Sequence, residues 1–555
     1  MSIEARNRLL PDWFTRIRTR QTVLPRFQRF EAWDHSRVAQ MFNTILRDLP
    51  VGAGLVLEIG DKEPFISRAL KGAPEKGERV TEQLLDGQQR LTALWRGLHN
   101  NYDDRTFFIY FKPDEESELL HYVDSIARWK NDGDAQFRPL WANNPAEQWH
   151  RRMIPLNFFA PDISAQQGFR AWVALAIASV EDRDAISDEV SSIRQKFAGF
   201  NLPFMSLPVT TPPQTALDVF IKMNTSASPL TSYDIVVAQL EAGMGKSLHD
   251  LVAETRISCP NISAYYPIEG LALYASALLQ DRSPTNATYM ASDFGEKLVE
   301  NWDAFLNGVK RTVIFLEQER VFDAARLPTD VVIPVLVALW GLAPKKLDAE
   351  GSARTILRKY LWRAFFTNRY ESSTNTRALA DFKELKPWIL GTCTALPSIF
   401  DDTIYHLPQA PELIDAGWPV RKDRIARAIL ALTLKKGGHD LADGGEATRE
   451  NLAKREYHHL FPDAHLTRLG IQDNQIYCAL NCALVTWHTN RNISDKDPEK
   501  YLAQRRDATT HSDDVIKERL ASHFIPYEEM ISGDYQKFLK ERARLAHEAM
   551  TALCK

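Results

Sequence analysis

Through the first part of the chain, short apolar runs alternate with stripes of helical spacing. Leu84 and Leu85 close a run that reads as a buried strand, and Gly87 then lets the chain turn. Beyond it Leu91, Leu94, Trp95 and Leu98 recur at i, i+3, i+4 and i+7, one face of a helix. Upstream, Val38, Met41, Phe42, Ile45, Leu46 and Leu49 form another helical stripe, with Ser36 as candidate N-cap. The runs 52–59, 79–85 and 106–111 are β-prone, so strands interleaved with helices predict a small α/β core. From 114 to 200 the pattern weakens, with polar insertions such as Asn131-Asp132-Gly133-Asp134. It sharpens at 216–240, where Leu217, Val219, Phe220 and Ile221, then Tyr233, Ile235, Val236 and Leu240, flank a polar turn; Thr231 or Ser232 caps the second helix.

From 248 to 435 the texture is helical, with dense apolar runs at 271–279, 331–342, 356–366 and 425–434. Arg354, Arg358, Lys359, Arg363 and Arg369 give this region a basic side, either a solvated face or a surface that follows nucleic acid. Gly243-Met244-Gly245-Lys246-Ser247 is not a P-loop: the first glycine of that motif would fall at Leu240, and a helical pattern precedes it. Residues 435–448, rich in Gly and Asp, mark a boundary, and 515–553 reads as a closing helical segment with Leu520, Phe524, Phe538 and Leu545 as packing residues. The expected organisation is multidomain α+β and helix-rich, divided as 1–245, 246–435 and 436–555.

Composition narrows the class. The chain has 555 residues, 44% hydrophobic and 25% charged, as in an ordinary globular protein. No apolar stretch is long enough for a bilayer and the N-terminus lacks a signal-peptide core, so a cytoplasmic protein with no membrane partner is expected. Five cysteines give no disulfide framework; Cys478 and Cys482 lack a second pair to complete a zinc site. A net charge of −4 excludes a uniformly basic nucleic-acid binder, so any such contact is local. One local patch is Arg6, Arg8, Arg16, Arg18, Arg20, Arg26 and Arg29, which could grip phosphates or form a solvated basic terminus.

Two stretches carry chemistry. At Asp86-Gly87-Gln88-Gln89-Arg90-Leu91-Thr92 the free N–H groups of a helix start favour an anion, and Arg90 could add a charge-assisted phosphate contact. An ordinary capped helix is the alternative. At Glu456-Tyr457-His458-His459-Leu460-Phe461-Pro462, adjacent histidines on an extended segment point to opposite sides, so one can hold a metal while the other acts as a base. Asn481 and Asn490 follow, and a downstream Asn oxygen suits Mg²⁺ or Mn²⁺ better than zinc; two ordinary surface histidines are the alternative.

The Asp86–Arg90 motif resembles the signature of the ParB/sulfiredoxin-like nucleotide-hydrolase domain of GmrSD-type, modification-dependent restriction endonucleases. The Pro25…Gln28-Arg29…Trp33 element and the Phe220…Asn224…Leu230-Thr231 element are similar to further pieces of that domain. His458-His459…Pro462, Asn481 and Asn490-Arg491-Asn492-Ile493-Ser494 resemble the HNH (ββα-metal) nuclease domain fused to it, although the position of His458 is often Asp there.

The resemblance implies a nucleoside triphosphate site at Gln28, Arg29, Asp86, Gly87, Gln88, Gln89, Arg90, Thr92 and Asn224, with GTP, ATP, CTP and UTP all open. It implies His459 as general base, His458 and Asn490 as metal ligands, and Asn481 as the residue holding the loop. The expected function is a nucleotide-regulated, Mg²⁺- or Mn²⁺-dependent endonuclease on modified phage DNA, with homo-oligomerisation open. A non-catalytic nucleotide-switched DNA clamp and an RNA-directed nuclease are the alternatives.

Overall fold

The computed structural model describes residues 4–28, 33–111, 121–128, 130–132, 135–137, 143–223, 231–244, 247–392, 395–420, 423–493, 496, 498–508 and 513–555. Arg29, Asn224 and the Gly245-Lys246 pair of the excluded P-loop lie outside them. The chain divides into two units, Met1–Leu248 and His249–Lys555.

The first unit is built on a six-stranded mixed sheet. Its strands are β1 (Glu4–Arg6), β2 (Thr22–Pro25), β3 (Gly54–Glu58), β4 (Ser67–Arg68), β5 (Glu82–Asp86) and one further strand, Phe204–Leu207. A smaller sheet holds β6 (Arg105–Tyr110), β7 (Tyr122–Ala127) and Met153–Pro155, and a short hairpin pairs β8 (Lys130–Asp132) with β9 (Ala135–Phe137). With Met153–Pro155 as β10 and Phe204–Leu207 as β11, the large sheet runs β1-β11-β3-β5-β2-β4. β5 pairs parallel with β2 and antiparallel with β3, so the strand leading into the Asp86 turn is internal. Residues Glu82 to Leu85 are accordingly buried.

Three helices fix this core: α1 (Leu10–Arg18), α2 (His35–Leu46) and α3 (Gln88–Leu98). In α1, Leu10, Trp13, Phe14 and Ile17 are buried at helical spacing behind a proline in the first turn. In α3, Leu91, Leu94, Trp95 and Leu98 are buried as the stripe predicted. Two local expectations fail in α2. Its N-cap is Asp34, whose carboxylate accepts from Arg37 N at 2.8 Å, because Ser36 is already inside the helix. The helix ends at Leu46, and Leu49 is exposed.

Four of the early arginines lie against carboxylates. Arg8 forms a paired contact with the buried Glu82, at 2.5 and 3.0 Å, and its guanidinium lies over the rings of Trp13 and Phe204. Arg6 pairs with Glu58, Arg16 lies 3.6 Å from Glu82, and Arg18 lies 3.8 Å from Asp162.

The second unit is mainly helical. Helices Ile268–Leu279, Val332–Leu342, Leu347–Phe366 and Arg424–Lys435 contain the four predicted apolar runs. The expected basic side is only partly a surface: Arg354, Arg358 and Lys359 are half-buried, and the other two residues turn inward. Arg363 is buried on Ile399 O and Asp402, Arg369 is buried on Asp381 at 2.6 Å, and Arg358 pairs with the buried Glu319 at 2.8 Å. The chain then forms β12 (Arg455–His459) and β13 (Cys482–Thr486), an antiparallel pair in which His458 faces Ala483 and His459 faces Cys482. Helix Trp487–Ile493 follows β13 directly, giving a β–β–α order. The closing helix Tyr535–Cys554 buries Phe538 and Arg542. Among the described residues no helix is long and apolar enough to cross a membrane.

Candidate functional site

Each unit contains one cluster of the predicted residues. In the first, β5 ends at Asp86 and Gly87 caps α3 with φ at 95°, a left-handed conformation that glycine adopts without a side-chain clash. A Cβ there would sit 3.3 Å from Gly54 Cα, so the turn also requires close backbone approach. Arg90 folds back across the turn. Its guanidinium donates to Asp86 at 3.0 Å and Val51 O at 3.3 Å, lying where a side chain on Gly52 would be. Gln28 is buried and donates to the carbonyls of Leu84 and Leu85 at 2.7 and 2.8 Å. Gln89 Oε1 accepts from Trp33 N.

The structure thus brings Gln28, Asp86, Gly87, Gln89 and Arg90 together, with the buried Gln88 and Thr92 on the first turn of α3. Two polar atoms in this cluster, Gln28 Oε1 and Thr92 Oγ1, are buried without a hydrogen-bond partner. Sequence reasoning missed Arg68, which donates to Gln28 O at 3.2 Å. Burial lowers its pKa to about 10, so it remains a cation at neutral pH. It lies in a segment without periodicity, and no local signal marked it.

The second cluster sits on β12, β13 and the Trp487–Ile493 helix. Period two puts Glu456 and His458 on one side of β12 and His459 on the other. His458 is 5% exposed. Its Nδ1 lies 2.7 Å from Asn490 Oδ1, and Asn490 Nδ2 donates to Glu456 Oε2 at 2.6 Å. The carboxylate can only accept, which orients the Asn490 amide; its oxygen therefore faces His458 and takes the Nδ1 proton. That tautomer leaves a lone pair on His458 Nε2, a buried atom without a partner. Burial lowers the His458 pKa to about 4, so the ring is neutral at neutral pH.

His459 stacks on Trp418 at 4.2 Å and meets the edge of Tyr477 at 5.0 Å. Burial lowers its pKa and nearby Asp463 opposes the shift; Tyr477 in turn hydrogen-bonds Asp463. His459 Nε2 is buried without a hydrogen-bond partner. The neutral ring is then available as a proton acceptor.

Asn481 is fully buried and saturated: its side chain accepts from Phe461 N at 2.9 Å and donates to Phe461 O and Ile476 O. It thereby ties β13 to the loop that follows His459. Arg542 holds the same place from behind, donating to Leu480 O at 2.7 Å and Cys482 O at 3.0 Å, the carbonyls on either side of Asn481. Asp440 fixes the start of the Trp487–Ile493 helix by accepting from Thr486 N and Thr489 Oγ1. Glu456 could have been read from its i, i+2 relation to His458. Trp418, Tyr477, Asp440 and Arg542 reach the site only through tertiary packing.

His458 Nε2 is the open donor that fits a divalent ion keeping several of its waters, as Mg²⁺ does, whereas Asn490 Oδ1 is engaged at Nδ1 on the opposite edge of the ring and would have to leave it to join the same ion. An all-protein cage does not fit: among the described residues no three His, Cys, Asp or Glu side chains cluster as metal ligands.

Comparison with known proteins bears on the first of these clusters. Residues 10–241 match the family described as GmrSD restriction endonuclease, N-terminal domain. The stretch includes the Asp86 turn and supports a GmrSD-type family. The chain is also 22% identical, over 601 aligned residues and 96% of each chain, to a Methanocaldococcus jannaschii protein named Uncharacterized protein MJ0686.

Proposed function

We propose that this protein is a cytoplasmic, nucleotide-regulated, Mg²⁺- or Mn²⁺-dependent DNA endonuclease of the restriction type, acting on modified phage DNA. The match of residues 10–241 to a restriction endonuclease domain supports the class. The observation that carries the chemistry is the pair of imidazoles on β12: one oriented by Asn490, the other with an unpartnered Nε2. This β–β–α site is read as an HNH-type nuclease centre.

In the cleavage step, His459 Nε2 takes a proton from a water molecule as that water's oxygen bonds to phosphorus, and the bond to the leaving oxygen breaks. Trp418 and Tyr477 hold the ring for that transfer, and Asn481 sets the backbone that follows it. His458 Nε2 would hold the divalent ion, and Asn490, paired with His458 Nδ1 and with the carboxylate of Glu456, would join it by exchanging those partners. A bound ion supplies electrostatic stabilisation to the phosphate and the leaving oxygen. Leaving-group protonation by bulk water closes the proton balance.

The first unit is read as the nucleotide site. Triphosphate oxygens would meet the N–H groups at the start of α3 and the guanidiniums of Arg90 and Arg68, with Thr92 Oγ1 donating a hydrogen bond and Gln28 Oε1 left to accept one from a donor on the ribose or base. Arg29 and Asn224 complete the set implied by resemblance.

The test is cleavage of matched modified and unmodified phage DNAs by the full chain in Mg²⁺ or Mn²⁺, with each of the four nucleoside triphosphates in turn. Nucleotide-dependent cutting of modified DNA is expected. Binding without cleavage under every condition favours a clamp, and cleavage restricted to RNA favours the toxin-like alternative; either result overturns the proposal.

A further inference from the structure

The Trp487–Ile493 helix has an outer face that the cleavage chemistry does not use. Thr489 and Ile493 point into the unit and are buried, while Trp487, His488 and Arg491 are exposed. Asn490 stands at the border between the two faces, and its position three residues after Trp487 makes the two surface neighbours. Trp487 is 44% exposed, a large apolar surface to leave in water. The Arg491 guanidinium lies over its ring at 4.4 Å, and the His488 ring meets it edge-on at 4.9 Å. Neither Arg491 nor His488 has an ion pair or hydrogen bond among the described residues, so no described carboxylate pairs with the Arg491 charge beside the candidate metal ligand.

We infer that Trp487, His488 and Arg491 form a contact for a DNA strand with an unpaired base next to the scissile phosphate. The indole offers a stacking surface of the kind nucleobases use, and stacking requires a base that is not already within a duplex. Arg491 offers charge to the adjoining phosphate and restrains the indole by its own stacking. The substrate class is therefore single-stranded, frayed or base-extruded DNA, so a modification that weakens pairing would favour engagement. This inference rests on the nuclease reading for the position of the scissile phosphate, but the contact itself can be tested without cleavage.

The experiment uses the full chain carrying His459→Ala, in chelator, with a fluorescein-labelled oligodeoxynucleotide followed by anisotropy. The probes are the single strand, its blunt duplex, and an RNA of the same sequence. Adding Trp487→Ala should weaken single-strand binding by about tenfold, the loss of one stacked base, while duplex binding changes less than about twofold. Trp487→Phe should restore most of the affinity, and Arg491→Ala should reduce the salt dependence on the single strand. Unchanged single-strand affinity in Trp487→Ala overturns the inference. So does equal loss on single strand and duplex, or tighter binding of the RNA than of the DNA. Failure of the parent chain to cut DNA in Mg²⁺, with the stacking contrast intact, would remove the nuclease reading and leave the strand contact standing.

Discussion

The two polar clusters look alike in sequence, each a few polar residues beside a strand end. Each leaves two buried atoms unpartnered, Gln28 Oε1 and Thr92 Oγ1 in one and two ring nitrogens in the other, yet they differ in which groups are engaged. At the Asp86 turn the cation is engaged: Arg90 is held by Asp86 and Val51 O, and Gln28 is committed to two strand carbonyls. At β12 the reverse holds. Asn481, Asp440 and Arg542 are saturated supports, while His458 and His459 each keep an unpartnered Nε2. Groups held only by their supports are ready for chemistry, whereas groups closed on one another must exchange partners before a ligand can bind. The contrast fits the proposal that cleavage belongs to the second unit and a binding event with local rearrangement to the first.

The contrast can be broken most forcefully at Asn481. Asn481→Ala removes the partners of buried backbone groups at Phe461 and Ile476, each worth about 1–3 kcal/mol when left unsatisfied. The second unit should lose roughly 3 kcal/mol or more, seen as a lower melting transition together with lost cleavage. Melting unchanged from the parent would mean that the loop is not held as described.

A smaller effect is expected at the turn. Arg90→Ala should weaken triphosphate affinity by roughly tenfold to a hundredfold, from a charge-assisted contact of about 1.5–3 kcal/mol. Because the guanidinium is partly exposed and its Asp86 pair lies within one turn, stability should fall by less than about 1 kcal/mol. Calorimetry showing parent-like affinity would contradict the nucleotide reading. Gly87→Ala should cost about 1–2 kcal/mol, from the positive φ and the close Gly54 backbone.

The pH response sharpens the account of the supports. His523 is fully buried, donates to His439 O at 2.8 Å, and has its pKa lowered to about 4 by burial. The unfolded chain would titrate near 6.5, so between about pH 6.5 and 4 it binds more protons than the folded one. Stability from this group is therefore complete above about pH 6.5 and falls as pH drops towards 4. His523→Gln should flatten that part of the melting-versus-pH curve; an unchanged slope would show that other groups set it.

Much of the local structure was legible in the sequence because it depends on near neighbours. The stripe Leu91, Leu94, Trp95 and Leu98 did produce a buried helix face after Gly87, and the β–β–α residues lie on the elements that position the site. The Arg8–Glu82 pair and the inward Arg363 and Arg369 were not legible, since a charge run in sequence does not reveal the carboxylate or carbonyl opposite it. The same holds for Trp418 on His459, forty-one positions away, and for Arg542 behind Asn481. Resemblance located the histidines, whereas the tautomer of His458 and the open nitrogen of His459 required the packed structure.

The most direct measurement is the rate of plasmid cleavage in Mg²⁺ by the parent chain and by His459→Ala, under whichever nucleotide supports cutting, with circular dichroism as the control for fold. The account predicts a fall of about 10²–10⁴-fold with the spectrum unchanged, the loss of a general base. Parent-like cleavage by His459→Ala would contradict it.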